Sequence, residues 1–226
     1  MTGPNQLFYE CDNPECRLRF PGSEGHPRWN RCPACRSTIH LVATAPVSSE
    51  NAFPEIGSEP LAVEVILDNI RSAWNVGSIF RTAEGFGINK LYLCGITPSP
   101  DNSKVSKTSL GAELDVQWEK VNNAVLLAGE LKAQGYQLWA LENLPDSLPF
   151  YNLSMVLPNA PIVLVVGNEI SGVDPGIIEL CDRVIAIPML GKKQSYNVSV
   201  AFGIAASYFL YLQSFSHGSR NIFPNT

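Results

Sequence analysis

Four cysteines near the amino terminus have the spacing of a metal site. They form two pairs, with four residues between the first two and two between the last two, and the cysteines are Cys11, Cys16, Cys32 and Cys35. Two facing pairs of thiolates are what a tetrahedral Zn²⁺ ion requires. A segment of about 45 residues with few large apolar side chains builds little core, so a bound metal would supply folding free energy. The spacing predicts a zinc ribbon, and the alternative is four reduced structural cysteines.

Basic residues are concentrated in the same segment. Residues 17–36 contain one acid, Glu24, and five arginines: Arg17, Arg19, Arg28, Arg31 and Arg36. The net charge of −5 argues mildly against a nucleic-acid partner, because Lys and Arg make the contacts to phosphate. With Phe20 and Trp29 as stacking faces, however, the ribbon could contact RNA, which we treat as a hypothesis. His26 and His40 are interpreted as surface residues rather than ligands.

Three further polar segments each follow an apolar run of strand length. In the first, residues 69–87, Asn75 could cap a helix and Gly77 would permit a close backbone approach. Arg81 could direct its planar fork of donors at a phosphate or carboxylate. Taken alone, this segment is also compatible with an ordinary capped helix and a solvated arginine.

The other two segments place polar groups at the ends of later strands. Glu169 lies between Gly167 and Gly172 directly after the most apolar run, and packing alone does not explain a carboxylate there. In the third segment, residues 187–201, Ser195 and Asn197 resemble an N-cap pair ahead of a long apolar helix. Ligands of open parallel sheets bind beyond the carboxyl ends of strands, so both segments are candidate binding loops.

The elements that must position these residues alternate along the chain. Apolar runs predict strands at 62–67, 90–95, 136–141, 161–167 and 183–189, and helices are predicted at 76–86, 121–134, 175–181 and 198–212. This alternation predicts an α/β fold with a parallel sheet. A Pro-, Ser- and Gly-containing stretch indicates a linker at 43–60. The predicted organisation is therefore a ribbon at 1–42, a linker at 43–60, a main domain at 61–215 and a tail at 216–226.

The hydropathy of the chain predicts a soluble protein. No apolar run reaches the roughly 18–20 residues that span a bilayer, and the amino terminus lacks the features of a secretory signal. A cytoplasmic location is therefore expected, with no membrane partner, and reducing conditions there favour metal binding by the cysteines over disulfides.

Together the three segments, in this order and spacing, resemble the signature motifs of the SpoU (TrmH-like) RNA 2′-O-ribose methyltransferases of the SPOUT superfamily. The resemblance covers about residues 61–215, and the segment 107–112 resembles a further family element between the first and second motifs. Tyr196 departs from the pattern, because the family usually has leucine at this position.

The resemblance implies a fold, a cofactor and a reaction. The C-terminal part would form a deep trefoil knot that binds S-adenosylmethionine, and the protein would be a homodimer that methylates a ribose 2′-hydroxyl of tRNA or rRNA. By position in the motifs, the residues that would contact the cofactor are Gly167, Ile187 and Tyr196, with Met189 and Leu141 nearby. The residues that would act in catalysis are Arg81, Asn75, Glu169, Ser195 and Asn197.

Two other functions stay open at the level of sequence. One is an RNA-binding protein whose methyltransferase fold has lost its cofactor, which the intact Arg81, Glu169 and Asn197 disfavour. The other is a base methyltransferase from a different SPOUT branch, and the combination of Asn75 with Glu169 and Asn197 favours ribose instead. A dinucleotide-binding enzyme is set aside, since no GxGxxG follows the first strand.

Overall fold

The structure is a computed structural model that describes residues 6–23, 30–45, 63–88, 90–152 and 158–216. Backbone contacts divide the chain into two compact units, residues 1–56 and 57–226, and each is described by itself. Several sequence-based predictions lie outside the described residues. These concern His26, Arg28, Trp29, most of the linker and nearly all of the tail.

The N-terminal unit is a small antiparallel sheet with two tight turns. Strand β1 (Gln6–Cys11) lies between β2 (Arg19–Ser23) and β3 (Ile39–Thr44). In each turn a cysteine is followed by an arginine with positive φ, 46° at Arg17 and 65° at Arg36. The backbone N–H of each arginine donates to a carbonyl at the start of its own turn, that of Asn13 or Cys32. The two turns thus have the same backbone hydrogen bond, although the spacing of their cysteines differs.

The C-terminal unit contains seven strands and five helices among its described residues. The strands are β4 (Val63–Asp68), β5 (Lys90–Cys94), β6 (Gln117–Val121), β7 (Gln137–Leu141), β8 (Leu148–Pro149), β9 (Ile162–Val166) and β10 (Arg183–Ala186). The helices are α1 (Ala73–Gly85), α2 (Ser103–Ser109), α3 (Ala124–Ala133), α4 (Pro175–Ile178) and α5 (Val198–Ser216). None of the described helices is long and apolar enough to cross a membrane.

All neighbouring strands of this sheet are parallel, in the order β6-β5-β4-β9-β7-β10-β8. The chain builds outward from β4 to β5 and β6, and then returns so that β9 lies between β4 and β7. The direction of winding therefore reverses beside β4, which is where open parallel sheets bind ligands. The predicted α/β class with a parallel sheet is confirmed.

Helices cover both faces of the sheet. On one face α1 and α5 pack their apolar side chains together with those of the strands; among these, Phe80, Phe202 and Phe209 are fully buried. On the other face α3 and α4 contribute Ala128, Leu131 and Ile177. Each fully buried phenylalanine contributes about 1.5–3 kcal/mol, so this packing stabilises α1 and α5 against the sheet.

Three elements of the C-terminal unit escaped the sequence-based predictions: strand β6, helix α2 and the two-residue strand β8. Strand β6 is an edge strand with no fully buried side chain, so it lacks the apolar run that marks a buried strand. Helix α2 is polar except for Val105 and buries only that residue and Ser109. The five strands and four helices that were predicted are all present, with ends that differ by a few residues.

Candidate functional site

A cavity of about 320 Å³ lies at the carboxyl ends of β7, β9 and β10. Because these strands are neighbours in the sheet, the loops that follow them meet around one space. The volume lies within the roughly 300–1,000 Å³ of small-molecule sites. All of the residues predicted to contact a cofactor line this cavity: Leu141, Gly167, Ile187, Met189 and Tyr196.

The predicted catalytic residues divide into two groups by position. Glu169, Ser195 and Asn197 line the cavity, whereas Asn75 and Arg81 lie on α1 and are not among its lining residues. Asn75 is nevertheless joined to the lining through side-chain hydrogen bonds to Glu169 and Asn197. Arg81 is exposed, and within the described residues its side chain has no hydrogen bond or ion pair.

Glu169 is held against the N-terminus of α1. Its Oε2 accepts a hydrogen bond from the Arg71 N–H at 2.9 Å, and its Oε1 accepts from the Ser72 N–H and from Asn75 Nδ2, each at 3.0 Å. The first N–H groups of a helix have no partner within the helix and favour a negative charge. The adjacency of β4 and β9 brings this carboxylate to them across nearly a hundred residues of chain.

The hydrogen bonds at Glu169 keep it ionised. Partial burial alone would raise the pKa of this carboxyl, but the donors from Arg71, Asn75 and Ser72 outweigh burial and hold the pKa below its ordinary value of 4.5. A carboxylate with these donors is an acceptor at neutral pH, so Glu169 is suited to orient Asn75 rather than to carry a proton.

Two asparagines continue the chain of hydrogen bonds into the cavity. Asn75 Oδ1 accepts from Asn197 Nδ2 at 3.1 Å, and Asn197 Oδ1 accepts from Ser199 N and Ser199 Oγ. Each side-chain amide has two N–H donors, and one donor of each amide has no partner within the described part of the chain. Glu169, Asn75 and Asn197 are therefore fixed in orientation with N–H groups left for a ligand. We call these three residues the amide relay.

The prediction that Asn75 caps α1 is wrong. Helix α1 begins at Ala73, three residues before the predicted start at residue 76, and Ser72 is its N-cap, accepting from the Asn75 backbone N–H through its hydroxyl at 3.3 Å. Asn75 Oδ1, the atom that a cap would use as acceptor, instead accepts from Asn197 Nδ2. The expected cap role of Asn197 is supported by its bond to Ser199 N, whereas Ser195 makes no recorded side-chain bond within the described residues.

Gly77 does allow a close approach, as predicted. A side chain there would collide with Thr108 and with the carbonyl of Val105, so α2 packs directly on the backbone of α1. Gly167 has the same function in the cavity wall, since a Cβ atom would meet the backbone of Gly172 and Val173.

Residues that were not predicted also organise the cavity. Asn168 Oδ1 accepts from Ile170 N and Ser171 N, and its Nδ2 donates to Asn69 O, which ties the loop after β9 to the end of β4. Glu142, the residue after β7, accepts from Val173 N at 3.1 Å and lines the cavity. Asn168 and Glu142 each directly follow a predicted strand, and a polar side chain at such a position was the sequence feature that could have identified them.

The chemistry of the lining fits S-adenosylmethionine, which carries a net positive charge. The lining residues include two carboxylates, Glu142 and Glu169, and neither lysine nor arginine. Apolar walls from Leu141, Ile187 and Val166 would face the less polar parts of a nucleoside. The residues present therefore fit the cofactor that the motifs imply.

The four cysteines of the N-terminal unit converge. Their Sγ atoms all lie within 4.8 Å of one another, with Cys11 and Cys35 at 3.4 Å and Cys16 and Cys32 at 3.8 Å. A Zn²⁺ ion with bonds of about 2.3 Å holds tetrahedral sulfur ligands about 3.8 Å apart, so this geometry is compatible with zinc. His40 bonds to Asp12 at 2.6 Å and is not a member of the cluster.

The fold and the cavity define a class: an open parallel-sheet protein with a nucleoside-sized site built from strand ends. Residues 62–207 match the model of the SpoU rRNA Methylase family. The chain therefore belongs to the SpoU methylase family, as the motifs predict.

Sequence similarity to a methyltransferase of Aquifex aeolicus supports this membership. A tRNA (guanosine(18)-2′-O)-methyltransferase of Aquifex aeolicus is 38% identical over 141 residues, which are 62% of this chain and 64% of that protein. The chain thus spans slightly less than two thirds of the length of that relative.

Solved structures of the family have the same fold. The crystal structure of the A. aeolicus TrmH/SpoU tRNA modifying enzyme superposes with a TM-score of 0.62 at 34% identity, covering 72% of this chain and 80% of that one. An AdoMet-bound rRNA methyltransferase from Sinorhizobium meliloti gives a TM-score of 0.59 at 25% identity, with coverage of 70% and 60%.

Proposed function

We propose that this protein is an S-adenosylmethionine-dependent RNA methyltransferase that methylates a ribose 2′-hydroxyl of tRNA or rRNA. The observation that carries the proposal is the amide relay at the edge of the cavity, where Glu169, Asn75 and Asn197 are joined by hydrogen bonds of about 3.0–3.1 Å. The A. aeolicus relative is named for 2′-O-methylation of a guanosine in tRNA, which supports ribose as the target.

The cavity lining would hold the cofactor. When bound, S-adenosylmethionine supplies a methyl group on a sulfonium centre. Gly167 and the backbone around it would approach the nucleoside closely, and Leu141, Ile187, Met189 and Tyr196 would enclose it. Tyr196 replaces the leucine usual in the family, and we infer that it acts mainly through its backbone.

The amide relay would orient the RNA. The ionised Glu169 fixes the direction of the Asn75 amide, and Asn75 in turn fixes Asn197. Their remaining N–H groups, together with the Ser195 hydroxyl at the cavity wall, would position the ribose so that its 2′-oxygen faces the methyl group in line. Holding two bound reactants in the correct orientation accounts for a large part of the rate acceleration in such reactions.

Arg81 would stabilise the negative charge that develops on the ribose oxygen and would clamp the adjacent phosphate. A guanidinium with a pKa above about 12 does not serve as a base at neutral pH, so we assign it this electrostatic role. Because Arg81 does not line the cavity of its own chain, we infer that it serves the cavity of a second copy in a homodimer. Val200 of α5, an apolar side chain that is half exposed, fits a homodimer interface.

Zinc would hold the N-terminal unit together. We infer that Cys11, Cys16, Cys32 and Cys35 bind one structural Zn²⁺, because their sulfur atoms have tetrahedral spacing and few other core residues stabilise this unit. The exposed arginines of the two turns make RNA its proposed partner. The domain boundaries at residues 42, 60 and 215, the trefoil knot and a cytoplasmic location belong to the same proposal.

Labelled methyl transfer tests the proposed function. The full-length protein is incubated with total tRNA or rRNA and S-adenosylmethionine labelled in its methyl group, and the modified nucleotide is mapped by nuclease digestion. We expect label on a ribose 2′-oxygen. Label on a base would instead identify a base methyltransferase. If calorimetry detects no binding of S-adenosylmethionine, the protein is a non-catalytic RNA-binding protein.

A further inference from the structure

Glu142 presents a second carboxylate to the cavity. It follows Leu141, the last residue of β7, and lines the same space as the cofactor-binding loops. Unlike Glu169, it takes no part in the amide relay and makes no hydrogen bond to α1 among the described residues. Its side chain has no assigned role in the reaction proposed above.

The orientation of this carboxylate is fixed by both walls of the cavity. Oε1 accepts from the Asn143 N–H at 3.0 Å, and Oε2 accepts from the Val173 N–H at 3.1 Å. Gly172, with φ of +73°, lies so close to Oε2 that any side chain at that position would displace the carboxylate. Asn143 also donates to Gln194 O at 3.0 Å, which ties the end of β7 to the third motif loop.

Half of the accepting capacity of Glu142 remains unused. A carboxylate has about four lone-pair sites, and the recorded bonds occupy one on each oxygen. No lysine or arginine of the described chain forms an ion pair with it. A preoriented carboxylate with one free acceptor site on each oxygen is suited to two neighbouring O–H donors.

We propose that Glu142 binds the vicinal 2′- and 3′-hydroxyls of the ribose of S-adenosylmethionine. The inference rests on the proposed function, since it assigns the ligand of the same cavity. The same chemistry occurs in dinucleotide-binding parallel sheets, where an Asp or Glu accepts a hydrogen bond from the ribose 2′-hydroxyl of the cofactor. Glu142 is thus a binding residue that distinguishes ribonucleosides from deoxyribonucleosides.

The test compares the affinities of two proteins for three ligands, in the absence of RNA and therefore without methyl transfer. Affinities of the full-length protein and of Glu142→Gln are measured by calorimetry for S-adenosylmethionine, for S-adenosylhomocysteine and for the 2′-deoxy analogue of S-adenosylhomocysteine. We expect Glu142→Gln to bind the two ribose-containing ligands at least about tenfold more weakly, because a hydrogen bond to a charged group is lost. The 2′-deoxy analogue keeps only the 3′-hydroxyl, so the substitution should weaken its binding clearly less than that of the two ribose-containing ligands.

Every other outcome overturns the assignment. Weaker binding of S-adenosylmethionine alone would mean that the carboxylate senses the sulfonium charge. An equal loss for all three ligands would mean that Glu142 holds the loops without touching ribose, and unchanged affinities would remove it from the site. If the unsubstituted protein binds neither S-adenosylmethionine nor S-adenosylhomocysteine, the proposed function itself fails, which is a distinct result.

Asp146→Asn is the matched control. Asp146 is an exposed acid in the loop after β7, four residues beyond Glu142, and it does not line the cavity. This substitution removes the same charge from the same loop, and all three affinities should stay at the values of the unsubstituted protein. The melting temperature of each variant checks that its fold is retained.

Discussion

Glu169 illustrates how a single side chain connects distant parts of this site. Its carboxylate accepts from Arg71 N, Ser72 N and Asn75 Nδ2, three donors that would otherwise lack partners at the start of α1. The same residue lines the cofactor cavity. Removing it would therefore affect the stability of the helix start and the orientation of Asn75 together.

We expect Glu169→Gln to lower the rate of methyl transfer by about 100-fold, since a positioning error of about 1 Å is enough for such a loss. A glutamine amide also offers only one oxygen to three donors, which should cost at most about 1 kcal/mol of unfolding free energy, because Glu169 is exposed and water competes for its hydrogen bonds. Steady-state kinetics and urea denaturation measure the two effects. A fully active variant would exclude Glu169 from the relay.

The pH dependence of that stability difference follows from the lowered pKa of Glu169. A carboxyl whose folded-state pKa is depressed stabilises the fold above its unfolded pKa, and this contribution is lost as pH falls through the folded value. The gap between the unsubstituted protein and Glu169→Gln should thus be full at neutral pH and shrink below about pH 4.5. Denaturation at several pH values checks this, and a constant gap would contradict it.

Arg81 differs from Glu169, because within the described chain its side chain forms no hydrogen bond or ion pair that a substitution could remove. Arg81→Lys keeps the positive charge but loses the planar fork, and we expect the rate to fall by about 100-fold or more. The affinity for S-adenosylmethionine should not change, since the positive charge is kept and Arg81 is assigned to the ribose oxygen and phosphate of the RNA rather than to the cofactor. Single-turnover kinetics with calorimetry separates the two quantities, and retained activity would remove Arg81 from the mechanism.

At the scale of elements, the packing of α2 on α1 supports the relay. Helix α2 is short and polar, and it lies against α1 where Gly77 has no side chain. The start of α1 carries Asn75, so a shift of the helix would change the distance from Asn75 to Glu169. The backbone contact at Gly77 is therefore part of how the fold positions the site.

Gly77→Ala should destabilise the protein by about 1–3 kcal/mol, because the added methyl group overlaps Thr108 and the carbonyl of Val105. Chemical denaturation measures the change. Gly85→Ala, at the last residue of the same helix, is the control: open space surrounds it, and the substitution should be neutral or stabilising by up to about 1 kcal/mol. Equal effects at both positions would refute the packing argument.

At the scale of the whole molecule, two units differ in what stabilises them. The C-terminal unit has continuous apolar clusters on both faces of its sheet, whereas the described part of the N-terminal unit buries only Leu7, Phe20 and two of its cysteines. A unit with so small a core depends on cross-links or metal for its stability. The two units should therefore respond differently to loss of the metal.

Cys32→Ser should reduce bound zinc from about one ion per chain to nearly none, because a structural site needs four ligands. The thermal transition of the C-terminal unit should persist, since its core lies elsewhere. Elemental analysis and calorimetry measure these effects, with Cys181→Ser, outside the cluster, as the control. If RNA affinity at matched salt is unchanged when zinc is lost, the ribbon does not contribute to RNA binding.

Local features of this protein could be predicted from sequence because they depend on neighbouring residues. The buried strands, the cysteine pairs and the glycine at residue 77 were recognisable from short segments, and motif resemblance identified the cavity lining, including Gly167 and Tyr196. Edge strand β6 and polar helix α2 were missed because exposed elements carry no apolar pattern.

The tertiary structure decided which distant residues meet. Asn75 joins Glu169 and Asn197 across 94 and 122 residues of chain, because β9 inserts beside β4 and the loop after β10 returns toward α1. Strand order in a parallel sheet is set by crossovers and by packing of both faces, and no short segment encodes it. The choice of Ser72 over Asn75 as cap and the orientation of Glu142 follow from that order, so the sequence determined the chemical groups and the fold determined their partners.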